Sequence, residues 1–259
     1  MQNSIKYRSF WWLLAAVALV LAAGACVYDP PSEPYAPPPD PHLLLNDSAE
    51  ALRDVQSLKF RLTHHRGSIY TRDDTGAHIK ATEINGAWDN AAGLALVIDA
   101  YMVRGRDVEA TSGSYFPLSM ILVPDGLYIT DPLSGQWVLQ SPELAIVPVE
   151  ALNEVMADLV SQIDSPSLEG VEDVGGRSAY RVSGSVPTSA VDWLPLDIAE
   201  DVQVDIALWI DRENRLPHMA HLIGAIGQYD DPATMRELRL VDFNEDVGII
   251  LPETFVDLR

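Results

Sequence analysis

The residues able to do chemistry are few and poorly spaced for it. Six histidines are present. His218 and His221, three apart, would share a face on a helix and could hold a metal. The flanking alternation is that of a strand, where an offset of three turns the side chains to opposite faces. The adjacent His64 and His65 meet the same objection, so the histidines read as structural. Asp242, Asn244 and Asp246 with Glu253 follow the ligand spacing of a calcium loop. Val247 stands where the sharp turn needs glycine, however, and Pro252 blocks the outgoing helix. A glycosidase needs two carboxylates at a set separation, and among 38 acidic residues some pair always exists. Neither a Gly-x-Ser-x-Gly elbow nor a phosphate-cradling glycine loop is found. The chain reads as non-enzymatic, with no catalytic residue, metal or cofactor expected.

One residue does carry a specific chemical signal. The sole cysteine, Cys26, ends the run Ala23-Gly24-Ala25-Cys26. Small residues before a cysteine let the chain lie extended in a lipoprotein signal peptidase, and the thiol then takes a diacylglyceryl group. What precedes it fits. Lys6 and Arg8 are the only charges before Cys26, and an unbroken apolar run extends from Phe10 to Ala23. Basic, apolar and small residues in that order form a secretory signal peptide, and the run is shorter than the about 20 residues of a membrane-spanning helix. The expectation is a signal peptide over residues 1–25 and lipidation at Cys26. Ala23 departs from the leucine commoner at its place in a bacterial lipobox, so ordinary cleavage and an uncleaved anchor stay as alternatives.

Residues 26–42 carry repeated prolines, which break helix and ladder and favour an extended chain. They read as a semi-rigid tether. The folded part, 43–259, is then a single domain on the extracytoplasmic face of the cell membrane. Removal of Lys6 and Arg8 leaves 15 Lys and Arg against 38 Asp and Glu, moving the net charge from −21 to −23. That excludes nucleic acid as a partner and leaves the acyl anchor as the membrane link. With Cys26 lipidated no disulfide is available, so the domain must stand on its apolar core.

The elements follow from periodicity. Residues 43–57 read as a helix with Leu45, Ala49, Leu52 and Val55 on one face and Asn46 or Asp47 as cap. Leu58, Phe60 and Leu62 then alternate with polar residues as a strand. Further strands are expected over 78–84 and 94–103. A hairpin turns at Pro124-Asp125-Gly126, and a strand follows at 137–139. Residues 141–165 show helical spacing, divided by Pro148. Strands resume over 178–186, 202–210, 216–226 and 235–243, with the clearest alternation at Val204, Ile206, Leu208 and Ile210. A sheet with one apolar face must cover it. The fold class expected is α+β, a strongly curved antiparallel half-barrel with helices over its concave face. Whether the space between is filled or hollow is left open by the sequence.

Four segments carry a family likeness: Leu52 to Thr63, Gly126 to Trp137, Val204 to Pro217 and Leu240 to Val247 before Pro252. They resemble, in order, the LppX/LprAFG family of envelope lipoproteins. That resemblance implies a half-barrel related in shape to the periplasmic lipoprotein carriers. It also implies an apolar cavity that holds acylated lipid for transfer through the envelope. The identity of the lipid does not carry over with the resemblance; phospholipid, glycolipid and triacylglycerol stay open, with an envelope transporter as a further partner to consider. The expected cavity liners are Phe60, Leu62, Leu96, Ile98, Val204, Ile206, Leu208 and Ile210 from strands. Leu152, Met156, Leu159 and Ile163 would close the lid. A structural or partner-docking domain with a packed core is the alternative.

Overall fold

The computed structural model describes residues 37–72, 78–103, 114–144, 149–194 and 197–259. Cys26, the signal peptide, most of the tether and Pro148 lie outside these. Pro39–Arg259 forms one compact unit. Helix α1 runs from Pro41 to Arg53. It starts before the expected cap because Asp40 accepts a hydrogen bond from the His42 backbone N–H at 2.8 Å. Pro41, with its φ already helical, follows that cap. Leu44, Leu45, Ala49 and Leu52 form its buried face.

Strand β1 (Ser57–Arg66) is the hinge of the sheet. On one side it pairs with β3 (His78–Asp89). From there a meander continues through β4 (Gly93–Val103), β5 (Ser114–Val123), β6 (Gly126–Thr130) and β7 (Trp137–Gln140). Short β2 (Ile69–Arg72) pairs with the far end of β3. On its other side β1 pairs with β12 (Met235–Val241). A second meander runs from there through β11 (Pro217–Ile223), β10 (Gln203–Asp211), β9 (Arg177–Pro187) and β8 (Asp164–Val174). Terminal β13 (Val256–Asp257) joins β7 in parallel, and the other pairings are antiparallel. Among the described residues the result is one open, curled sheet with two α-helices on its inner face.

The linking segment differs from its sequence pattern. Two single 3₁₀ turns, Pro142–Leu144 and Val149–Ala151, lead into α2 (Leu152–Ser161). Strand β8 then begins at Asp164, where sequence periodicity still suggests the end of a helix. Its apolar residues are sparse, and it contains Pro166 and two bulges. Those are features of an edge strand, and among the described residues β8 has only β9 beside it.

The core lies between the helices and the second meander. It joins Leu44, Leu52 and Val160 of the helices to Leu58, Trp88, Val182, Val204, Ile206, Leu208 and Ile210. Close approach is built in at Gly184, where a Cβ would sit 2.5 Å from the Ile163 side chain. Ile163 thereby presses onto the sheet just past α2.

Candidate functional site

Strand register fixes which side chains share the inner face, because directly opposed residues point the same way. Along β1 these are Leu58, Phe60, Leu62 and His64. Opposite them on β3 stand Trp88, Gly86 and Ile84. Leu94, Leu96 and Ile98 follow on β4, then Leu122, Met120 and Leu118 on β5. Leu127 and Ile129 on β6 complete the rows.

This face has two zones. Close to the helices, Leu58, Trp88 and Leu94 are buried in the core. The Trp88 indole N–H donates to the Val149 carbonyl at 2.7 Å, tying the floor to the segment entering α2. Farther along the same strands, Leu62, Ile84, Ile98, Leu118, Met120 and Ile129 are only partly covered and belong to no core cluster. Phe60 marks the border. Its ring lies across Gly86, where a Cβ would fall 2.1 Å from it. A glycine is needed there for packing and not for a turn.

The twelve residues singled out from the sequence divide between these zones. Val204, Ile206, Leu208, Ile210, Leu152 and Ile163 are buried core. Phe60, Leu96, Met156 and Leu159 pack against that core while partly exposed. Only Leu62 and Ile98 lie in the partly covered zone. Sequence reasoning missed Ile84, Leu118, Met120 and Ile129, although the alternation of β5 and β6 carried the signal. Pairing register, which a single sequence does not give, was what joined them to Leu62 and Ile98.

A separate cleft of about 370 Å³ opens where the β3–β4 and β5–β6 turns meet the segment before α2. Its walls include Asn90, Leu122, Pro124, Pro142, Val149 and Glu150. None of the twelve residues borders it.

Charge enters the inner face at its far end. His64 stands directly opposite Arg236, and Arg236 is ion-paired with Asp230. Burial draws the His64 imidazole below its ordinary value, with Arg236 adding to this and the Thr82 carbonyl opposing it. The histidine pair spaced three apart, His218 and His221, has different neighbours. His218 lies 3.3 Å from the Leu240 carbonyl and edge-on to Phe243. His221 packs against Trp209 and bonds Glu237 at 3.1 Å. In the acidic segment Asp242 pairs with Lys59 at 2.9 Å, and the Asn244 side chain accepts from the Gln56 backbone N–H at 2.7 Å. These donors are engaged in holding the end of β12 to the start of β1.

Known proteins share this architecture. LprF from Mycobacterium bovis superposes with a TM-score of 0.60 at 16% identity, over 84% of this chain and 98% of its own. LppX from Mycobacterium tuberculosis gives a TM-score of 0.52 at 18% identity, over 82% of this chain and 100% of its own. No curated protein matches in sequence. The model of the LppX_LprAFG lipoprotein family matches residues 107–249. That match spans more than half of the sequence, on an open curled sheet like those of LprF and LppX, and the chain belongs to the LppX_LprAFG lipoprotein family.

Proposed function

We propose that this protein binds acylated lipid on the half-covered inner face between β1 and β6. Held at the membrane through Cys26 and its tether, it carries or presents that lipid in the cell envelope. The observation that carries the reading is the continuous apolar floor of Leu62, Ile84, Ile98, Leu118, Met120 and Ile129, which the helices leave partly open. Covering such a floor with an acyl chain is favourable by about 0.8 kcal/mol per buried CH₂. Membership of a lipoprotein family supports an envelope setting. Phospholipid, glycolipid and triacylglycerol all offer the needed chain, and an envelope transporter would be the natural donor or acceptor.

A second reading has its own support. Val204, Ile206, Leu208 and Ile210 are all at most 5% exposed, so under the helices the interior is solid. A partner-docking domain would need no more than that.

Native mass spectrometry of the full-length chain, released in mild detergent from a lipid-containing bacterial host, separates the two. The carrier reading expects co-purified lipid that survives washing and is lost in Ile98→Trp and Leu118→Trp, with the fold retained. A clean apo mass that also takes up none of the three offered lipid classes would leave the docking domain.

A further inference from the structure

The partly covered floor ends in polar atoms that the described residues leave without a hydrogen-bond partner. His64 follows Leu62 by two residues on β1 and so stands on the same face, directly opposite Arg236 of β12. Four buried side-chain atoms at this end have no hydrogen-bond partner among the described residues: His64 Nε2, Arg236 Nε, Asp230 Oδ1 and Thr234 Oγ1. The Arg236 and Asp230 side chains are each only 1% exposed. Buried polar atoms are nearly always paired in folded proteins, so several orphans in one place call for a missing partner.

The chemistry of that partner follows from what the four atoms can donate and accept. Nδ1 of His64 lies 3.0 Å from the Thr82 carbonyl oxygen, which only accepts, so Nδ1 carries the hydrogen. In the neutral ring Nε2 is then a bare acceptor, and burial favours the neutral ring. Arg236 donates from Nη1 to the Gly224 carbonyl at 2.9 Å and from Nη2 to Asp230 Oδ2. Its Nε–H is a free donor. Asp230 Oδ2 also accepts from the Ile226 and Gly227 backbone N–H groups, leaving Oδ1 as a second free acceptor. Within the pair the guanidinium and carboxylate cancel, and the one other charge that reaches His64 there is that of buried Lys80 on β3. Two acceptors, one donor and one hydroxyl suit a partner that donates and accepts at once.

We propose that the His64–Arg236–Asp230 end of the floor is a hydrogen-bonding seat for an uncharged, hydroxyl-bearing group of the bound amphiphile. This rests on the apolar floor being the lipid site. The acyl chain lies over Leu62, Ile84 and Ile98, and a hydroxyl bonds His64 Nε2 and the Arg236 Nε–H. Phosphate would bring its charge beside Asp230 and is disfavoured.

The test compares three probes with one oleoyl chain on the full-length protein in mild detergent, by displacement of a fluorescent fatty ester. Monooleoylglycerol offers hydroxyls, methyl oleate offers none, and oleoyl phosphate is anionic. Monooleoylglycerol is expected to bind about tenfold tighter than methyl oleate, the gain of one or two well-made hydrogen bonds. His64→Leu should erase that preference, and His64→Gln, which restores an acceptor, should keep part of it. Arg236 and Asp230 are left intact because their pair pins the Gly224–Thr234 loop. Should His64→Leu fail to fold, the wild-type ratio decides. Equal binding of the ester and the glyceride would mean that the orphan atoms hold water only, and would overturn the seat while leaving the floor. Tightest binding of oleoyl phosphate would also overturn it. Failure of all three probes would remove the lipid-binding reading itself.

Discussion

The two meanders of this sheet use the same apolar alternation to different ends. On β10, Val204, Ile206, Leu208 and Ile210 face the helices and are closed off from solvent. On β4 the equivalent row begins in the core at Leu94, is only partly covered at Leu96 and Ile98, and is closed again at Ala100. The helices decide which happens. α1 and the ten-residue α2 are too short to cover a sheet this wide, since a helix advances only about 1.5 Å per residue. One meander therefore obtains a roof, and the other keeps a stretch of apolar floor, around Ile98 and Leu118, that is only partly covered. An apolar strand row in such a fold is core or binding surface according to what lies over it.

The largest effect should come from breaking the packed side. Leu208→Ala, at a site 4% exposed, is expected to cost about 2–5 kcal/mol through lost burial and a residual cavity. Ile98→Ala removes as many carbons from a partly covered position and should cost about 1–2 kcal/mol, while weakening lipid retention. Urea unfolding of both variants checks this. Equal losses would mean that the β4 row is as solidly packed as the β10 row, and the contrast between the meanders would fail.

Acid offers a second, smaller lever, on the outer face where β1, β12 and β11 meet. Burial raises the Glu237 carboxyl, but hydrogen bonds from Arg239, His221 and His65 outweigh it and hold the group at about 2. A carboxylate held below its ordinary value of 4.5 stabilises the fold above that pH. The contribution falls away as pH drops from 4.5 toward 2. Its size is up to about 3 kcal/mol at neutral pH. Glu237→Gln should lose that stability at pH 7 and show a flatter stability profile between pH 5 and 2. Parallel profiles for the two proteins would show that Glu237 does not couple the seam.

Much of the fold was legible because local pattern and tertiary need agree along most strands. The alternation at Val204 to Ile210 and the turn at Pro124-Asp125-Gly126 each specify their element directly. Legibility failed where context overrides pattern. β8 has too few apolar residues to read as a strand, and it pairs because β9 offers it an edge. The candidate site was read less well, for a physical reason. Alternation tells which residues face inward, but whether a helix lies over Ile206 or over Ile98 depends on the path of the chain between Gln140 and Asp164. His64 likewise reads as a structural histidine until register sets it against Arg236.

The smallest expected effect concerns what holds the roof in place. Arg53, at the end of α1, reaches Glu154 and Asp158 of α2, both at 3.1 Å. These contacts look like a clamp between the helices, but the carboxylate side chains are 55% and 65% exposed. Exposed ion pairs contribute about 0–1 kcal/mol and are screened by salt. The helices are joined more firmly by burial of Leu44, Leu52, Ala157 and Val160, and by the Asn153 side-chain amide donating to the Arg53 carbonyl at 2.7 Å. That last bond uses the backbone and survives replacement of the Arg53 side chain. Arg53→Met, which keeps an apolar stem, should therefore cost under about 1 kcal/mol in dilute buffer, with the difference vanishing near 1 M NaCl. A loss of several kcal/mol that persists in salt would mean that charge fixes the roof, and the division between packed and open floor would then depend on ionic strength. Packing as the fastener predicts the opposite: a floor whose open area stays the same from low salt to high.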